Sequence, residues 1–292
     1  MKAQLAIQLR GPRYGDPLTC IPYKSIGSDD VIDGLLKSPR GTAYVIQRGV
    51  PQLLSEPAPT RAFVDSYEKR MTRDAPVLLK NRSDDQDFSF SYQWSLHSYD
   101  ALTWELLIAE RLALFARYFG ISLADPRRER VLDAGCGNGT LSATLRSALA
   151  QRGLEVFAPD YSTSVYRAFE KHLLDSAMPP EALDRLHYLQ GDVQHPPFPD
   201  AYFDMIYSDG VLYHTPDTKA SFMALAQKVK RGGQFFVWLY RQDLRAVGRV
   251  KFRSQDWASC PAADVTRSEA RPLLCGRCSP VDQAPAAPHA RI

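Results

Sequence analysis

Residues 131–139 read Val-Leu-Asp-Ala-Gly-Cys-Gly-Asn-Gly, an apolar strand that ends in an acid and runs straight into three alternate glycines. Without Cβ atoms at 135, 137 and 139 the backbone can bend sharply and come into contact with a ligand. The pattern that follows is helical, with Leu141, Leu145 and Ala148/Leu149 recurring on one face until Gly153 supplies a left-handed stop. Strand, glycine turn and helix make the first half of a βαβ unit. Two ligand classes use such a turn. Dinucleotide enzymes space their glycines G-x-G-x-x-G so that a pyrophosphate can sit on the helix N-terminus. Here Asp133 lies two residues before the first glycine and the spacing is G-x-G-x-G, which suits a ligand carrying positive charge.

The run Asp133-Ala-Gly135-Cys136-Gly137-Asn-Gly139 resembles motif I of the class I S-adenosylmethionine (SAM) methyltransferases. Further acids fall where an open parallel sheet places them, at the carboxyl ends of successive strands. The strand Leu154 to Ala158 ends in Pro159-Asp160-Tyr161, Leu186 to Leu189 is closed by Gly191-Asp192-Val193, and Phe203 to Tyr207 is followed by Ser208-Asp209-Gly-Val-Leu-Tyr213-His214. The resemblance implies that Asp160 takes the two ribose hydroxyls, a task suited to the paired oxygens of a carboxylate. It also implies that Asp192 accepts from the adenine amino group, that the Val193 N–H faces the ring, and that 208–214 lines the methionine end and faces the acceptor. Any one of these acids alone reads as a turn or cap residue; four at consecutive strand ends, the first inside a glycine turn, read as a binding site. Asp217, by contrast, is placed to cap the helix that carries Phe222, Leu225, Ala226 and Val229. With Lys230-Arg-Gly-Gly233 as a helix stop and a strand from Gln234 to Tyr240, residues 130–240 hold five strand candidates separated by helical patterns. The implied fold is an α/β, Rossmann-like, doubly wound and mostly parallel sheet.

A chain of 292 residues can bury a full α/β core and a smaller module besides. Its net charge of +3, with no basic run interleaved with aromatics, argues against nucleic acid as a partner. It holds neither a long apolar run nor an apolar leader, so the reading is a cytoplasmic protein with no membrane span. Cys20, Cys136, Cys260, Cys275 and Cys278 are too scattered for a disulfide framework. Beyond Tyr240 the chain does not read as the two further strands of the complete fold. From Ser254 it turns to Ala, Pro, Arg and Ser, so residues 242–292 are expected to be a largely disordered tail.

Residues 1–60 carry a second resemblance. Leu18-Thr-Cys20-Ile-Pro-Tyr23, Gly34-Leu-Leu-Lys37-Ser-Pro-Arg40-Gly41 and Gly49-Val-Pro51-Gln-Leu-Leu54 resemble a small Trm112-like zinc-ribbon module. A structural zinc needs four thiolate or imidazole ligands, and only Cys20 is present, with Tyr23, Lys37 and Arg40 at the other positions. A metal-free β module is expected, and no structural zinc. Residues 61–99 form a linker ending in Phe88-Ser-Phe-Ser-Tyr92-Gln-Trp94, and by resemblance Tyr92 and Trp94 line a lid over the cofactor mouth; core packing is the alternative. A helix is expected over 100–119, with Leu102, Leu106, Ala109, Ala113 and Ala116 on one face and Gly120 at its end.

The resemblance implies a methyltransferase of residues 100–241 acting on a small-molecule or sugar acceptor, at oxygen or nitrogen. His214 is the candidate base, since imidazole titrates near working pH, although Tyr213 and His214 also suit a packing role. His97, His172, His187 and His195 show no partner in the sequence and receive no role. Two other readings stay open: a non-catalytic module that binds the cofactor, and an NAD-dependent reductase.

Overall fold

The computed structural model describes residues 1–55, 102–103, 106–122, 129–150, 153–173, 184–240 and 247–253. The lid candidates Tyr92 and Trp94, His97, the three distal cysteines and residues 254–292 lie outside them. The N-terminal stretch holds β1 (Thr19–Ile26), β2 (Asp30–Lys37), β3 (Ala43–Gln47) and β4 (Val50–Leu53). A short hairpin, β5 (Leu102–Thr103) and β6 (Leu106–Leu107), leads into helix α1 (Ile108–Phe119). Then come β7 (Arg130–Asp133), α2 (Thr140–Ala148), β8 (Glu155–Asp160), α3 (Ser164–Leu173), β9 (Leu186–Gly191) and β10 (Phe203–Asp209). Helix α4 (Thr218–Ala226), β11 (Val229–Tyr240) and β12 (Val247–Arg253) complete the order.

Ten of these strands form one sheet, in the order β1-β2-β3-β4-β9-β8-β7-β10-β11-β12. The central run from β9 to β11 is parallel, which is the Rossmann-like arrangement. Its strands are apolar on both faces because helices cover both. Val131, Val156 and Phe236 pack with Phe115 of α1, Leu141 and Leu145 of α2 and Val165 of α3. Their neighbours Leu132, Phe157 and Phe235 point the other way, onto Leu225 of α4, Leu5 of the 3-10 helix Ala3–Gln8 and Leu9 just after it. Chain order reverses between β7 and its two neighbours, β8 and β10, and the carboxyl ends at such a reversal are where ligands bind in folds of this kind.

The N-terminal β module is built directly onto this sheet. Strands β1 to β4 are antiparallel to one another, and β4 then pairs parallel with β9, Gln52 opposite Gln190 and Leu53 opposite Gly191. Cys20 lies opposite Leu36, half-buried, and burial raises its thiol pKa. Arg40 pairs with Asp16. Among the described residues no group of three or more His, Cys, Asp or Glu side chains could hold a metal, and no helix is long and apolar enough to cross a membrane.

Three expectations are corrected. Helix α1 starts at Ile108 and not near 100, because Leu102 pairs with Leu107, and Thr103 with Leu106, in the β5–β6 hairpin. The Glu110 carboxylate accepts the Leu107 N–H at 2.9 Å and so marks the first turn of the helix. Strand β11 begins at Val229, before the two glycines: its partner on β10 jumps from Val229 at Phe203 to Gln234 at Met205, so Lys230–Gly233 is a bulge in the strand and not a helix stop. Residues 247–253 form an antiparallel strand in the stretch read as a tail. Arg249-Val-Lys-Phe-Arg253 alternates charged and apolar residues, the period-2 pattern of a strand, and the edge of β11 supplies its pairing.

Candidate functional site

Between β7 and α2 the glycine turn has φ of 87° at Gly135, 57° at Gly137 and 71° at Gly139, all in the left-handed region that side chains avoid. Crowding adds a second reason for glycine. A Cβ at Gly135 would lie 2.4 Å from Val211 Cγ2, and one at Gly139 would lie 2.6 Å from the Tyr188 hydroxyl. The turn is strapped to both neighbouring strands: the Ala134 N–H donates to the Tyr207 carbonyl, and the Gly135 and Cys136 N–H groups donate to Pro159. Tyr188 Oη lies 3.1 Å from the Gly139 carbonyl and 2.5 Å from His172 Nδ1. One hydroxyl proton serves both contacts only if His172 donates to Tyr188 and Tyr188 donates to Gly139.

Around this turn the structure gathers the acids at the ends of four adjacent strands, β9, β8, β7 and β10. Asp133 is buried, accepts a hydrogen bond from Ser142 Oγ, and has its pKa raised to about 6. Burial is the main cause, and the charges of Asp160 and Asp209 add to it while Ser142 and Arg111 oppose it. These acids therefore share one field. Asp160 is partly exposed; its Oδ2 accepts the Gly137 N–H at 2.7 Å and its Oδ1 accepts the N–H and hydroxyl of Ser162. Asp192 Oδ1 accepts the Gln194 N–H at 2.8 Å, and its Oδ2 lies 3.3 Å from His195 Nδ1. Asp209 Oδ2 accepts from Arg111 Nη1 at 3.0 Å and from the Tyr207 hydroxyl at 2.6 Å.

The remaining candidates divide. Tyr161 follows Asp160 at the rim, and its carbonyl accepts from Gln190 Nε2. Val193 is buried beside Asp192. Tyr213 and His214 sit in the 3-10 turn Leu212–His214, their rings 4.1 Å apart, with Tyr213 edge-on to Trp238. Partial burial lowers the His214 pKa, which favours the neutral, proton-accepting ring. Two candidates face inward. Ser208 is wholly buried and donates to the Ala134 carbonyl at 3.2 Å, so it braces the turn. Cys136 is also buried, with its thiol 3.3 Å from the Ala158 carbonyl and its pKa pushed up by burial.

Several members of the site were not legible as such. Arg111 and Ser142 sit on helices with no local mark of a site. Three of the four histidines set aside for want of partners have them: His172 bonds Tyr188, His187 bonds Glu155 at 3.1 Å, and His195 meets Ser55 and Asp192. Asp217 caps α4 as expected, accepting the Ala220 N–H at 2.8 Å. A cavity of about 510 Å³ opens at the other end of the strands, lined by Lys2, Arg130, Glu155, Asp184 and Lys230 among others. Lys2 there is matched to Asp184, Arg130 to Glu155 and Lys230 to Asp204, Arg185 donates to the Gly153 carbonyl, and the cavity is far from the glycine turn in the topology.

Residues 132–237 match the family described as a methyltransferase domain. The ubiquinone/menaquinone biosynthesis C-methyltransferase UbiE of Vibrio vulnificus (strain YJ016) is 30% identical over 109 residues, which cover 37% of this chain and 40% of that protein. A ubiquinone biosynthesis O-methyltransferase of Photorhabdus laumondii is 33% identical over 120 residues, covering 40% of this chain and 45% of that one. The chain thus spans less than half the length of the curated relatives it matches. Phosphoethanolamine N-methyltransferase 2 of Haemonchus contortus, solved with SAM, superimposes at a TM-score of 0.38 with 24% identity, covering 54% of this chain and 34% of that chain.

The donor set fits SAM, the cofactor that the 133–139 motif implies. A nucleoside with a ribose diol and a cationic sulfur calls for acceptor-only groups near a close-approaching backbone. Asp160, Asp192 and Asp209 supply the acceptors and the 135–139 turn the approach. Arg111, whose charge acts on Asp133, is matched by Asp209, so Asp133 adds a carboxylate beyond that pair.

Proposed function

We propose that this chain is a SAM-dependent methyltransferase whose cofactor lies across the tips of β9, β8, β7 and β10. The observation that carries the reading is the convergence of Asp133, Asp160 and Asp209 in one field beside a glycine turn whose Gly135 and Gly139 leave no room for a Cβ. In this reading Asp160 holds the ribose hydroxyls, Asp192 accepts from the adenine amino group, and Gly135, Gly137 and Gly139 let the backbone approach the cofactor. Bound SAM supplies a methyl group already activated by its positive sulfur. The chain's own task is to align an acceptor and to exclude water, and orientation of this kind accounts for much of the acceleration.

The acceptor is a small molecule or a sugar, with oxygen or nitrogen as the methylated atom. His214, at the rim after β10, is the base that takes the proton from such a hydroxyl or amine, and its lowered pKa leaves it neutral for that role. The curated relatives carry names of both C- and O-methyltransferases, so likeness alone does not choose the atom. Residues 1–55 are read as a Trm112-like β module without metal, since Cys20 stands without the other thiolates such a site needs.

The test is a calorimetric titration with SAM and its demethylated product, followed by transfer of a radiolabelled methyl to a panel of hydroxyl and amine acceptors. Saturable binding with transfer supports the reading. Binding without transfer to any acceptor would make the chain a non-catalytic cofactor-binding module, and failure to bind would remove the proposal altogether.

A further inference from the structure

Strand β4 does more than extend the sheet. Its pairing with β9 sets Gln52 opposite Gln190 and Leu53 opposite Gly191, immediately before Asp192. The side chains on this ladder reach the cofactor loops from below: Gln190 Nε2 donates to the Tyr161 carbonyl at 3.0 Å, and Gln52 Nε2 donates to the Tyr166 hydroxyl at 2.8 Å inside the core. Two residues past β4, buried Ser55 places its hydroxyl 2.9 Å from His195 Nδ1. The same nitrogen lies 3.3 Å from Asp192 Oδ2. An ionised carboxylate only accepts, so the contact with Asp192 is attractive when Nδ1 carries the proton. Ser55 Oγ then accepts a share of it and fixes the ring, whose outer half is in water.

From this chain of contacts we infer that Ser55 and His195 are positioning residues for Asp192, through which the N-terminal β module sets how strictly the site recognises an adenine base. The inference rests on the reading of Asp192 as the acceptor for the adenine amino group. Asp192 Oδ1 is already held by the Gln194 N–H; the His195 contact fixes the second oxygen and with it the plane of the carboxylate. A carboxylate held at both oxygens presents its remaining acceptor direction to the base edge. One held only at Oδ1 can turn toward solvent.

The experiment compares adenosine with inosine, which lacks the exocyclic amino group, by calorimetry on the full chain, with S-adenosylhomocysteine as the reference ligand and urea unfolding without ligand as the control. The loss of one orienting hydrogen bond predicts that the preference for adenosine falls about threefold to tenfold in Ser55→Ala and in His195→Ala. His195→Gln, whose amide can still donate to Asp192, retains it. His195 is half exposed, so its variants keep the test readable even if Ser55→Ala loses stability. A wild-type preference for adenosine in His195→Ala, or an equal loss in His195→Gln, overturns the inference. Wild-type chain that binds S-adenosylhomocysteine but shows no preference between the nucleosides overturns the role of Asp192 itself, and wild-type chain that binds none of the ligands overturns the cofactor reading.

Discussion

Arg111 Nη1 lies 3.0 Å from Asp209 Oδ2, an ion pair that ties helix α1 to the tip of β10. The arginine is almost fully buried, with 8% of its side chain exposed, while Asp209 keeps 29%. Asp209 also accepts from Tyr207, whose ring stacks on Phe236. Removing the guanidinium leaves Asp209 facing Asp133 without compensation. Arg111→Ala should therefore destabilise the fold by about 2–3 kcal/mol, less than for a fully buried pair because Asp209 reaches water. Urea unfolding at neutral pH measures this, and Asp209→Asn combined with Arg111→Ala should recover part of the loss.

Asp133 and Glu155 act on stability in opposite senses. Asp133, ordinarily near 3.8, is raised to about 6 by burial, so between those values the folded chain holds a proton that the unfolded chain has released. Its contribution is fully present below pH 3.8, is lost as pH rises to about 6, and costs roughly 3 kcal/mol from there on. Glu155 is shifted the other way. Burial alone would raise it, but His187 and Arg130 outweigh burial and lower it to about 2, so its contribution grows as pH rises from about 2 to 4.5. Asp133→Asn should be as stable as the wild type at pH 4 and more stable at pH 7, because an amide oxygen still accepts from Ser142. Unfolding midpoints across pH 4–7 check the divergence. The same variant should bind SAM more weakly.

Cofactor affinity should follow Asp133 with the sign of a cation's field. A bound sulfonium favours the ionised carboxylate, so binding releases a proton near pH 6 and affinity rises as pH climbs through that value. Calorimetry in two buffers of different ionisation heat counts the proton. The dependence should be absent in Asp133→Asn.

Gly139→Ala places a methyl group 2.6 Å from the Tyr188 hydroxyl at a φ of 71°. Left-handed backbone costs an alanine about 1–2 kcal/mol before any clash is counted. Tyr188→Phe in the same background removes the hydroxyl but leaves the ring carbon at 2.7 Å and Ala168 Cβ at 2.8 Å, and it loses the bond to the Gly139 carbonyl, so it should restore little stability. Thermal unfolding of the two single variants and the double variant measures the coupling.

His214→Gln separates binding from transfer. If the ring accepts a proton from the acceptor, turnover should fall about a hundredfold or more while SAM affinity is unchanged. Steady-state transfer assays beside calorimetry read the two effects separately.

The contrast between what sequence revealed and what it hid follows from distance along the chain. The glycine turn, the acids at strand ends and the Asp217 cap were legible because each is specified by residues next to it. Arg111 was hidden because its partner lies at position 209, and His195 because Ser55 lies far back along the chain, just past β4. Leu102 and Leu106 fit a helical face, and only their pairing with Leu107 and Thr103 makes them a hairpin. Strand β12 does carry an alternation, Arg249-Val-Lys-Phe-Arg253, but it is short and falls next to the Ala-, Pro- and Ser-rich stretch, and its partner β11 is what makes it a strand. Ser208 and Cys136 stood within recognisable motifs, yet a motif does not tell which alternate residues of a strand or turn point into the core.

The central claim is that the acids beside the glycine turn hold a sulfonium-bearing nucleoside, and titration of SAM into the wild-type chain and into Asp160→Ala tests it most directly. The account predicts saturable binding at one site in the wild type and a loss of about a hundredfold or more in Asp160→Ala, with the variant still folded, since charge-assisted bonds to both ribose hydroxyls disappear together. Equal affinity in the two chains, or no binding to the wild type, would contradict it.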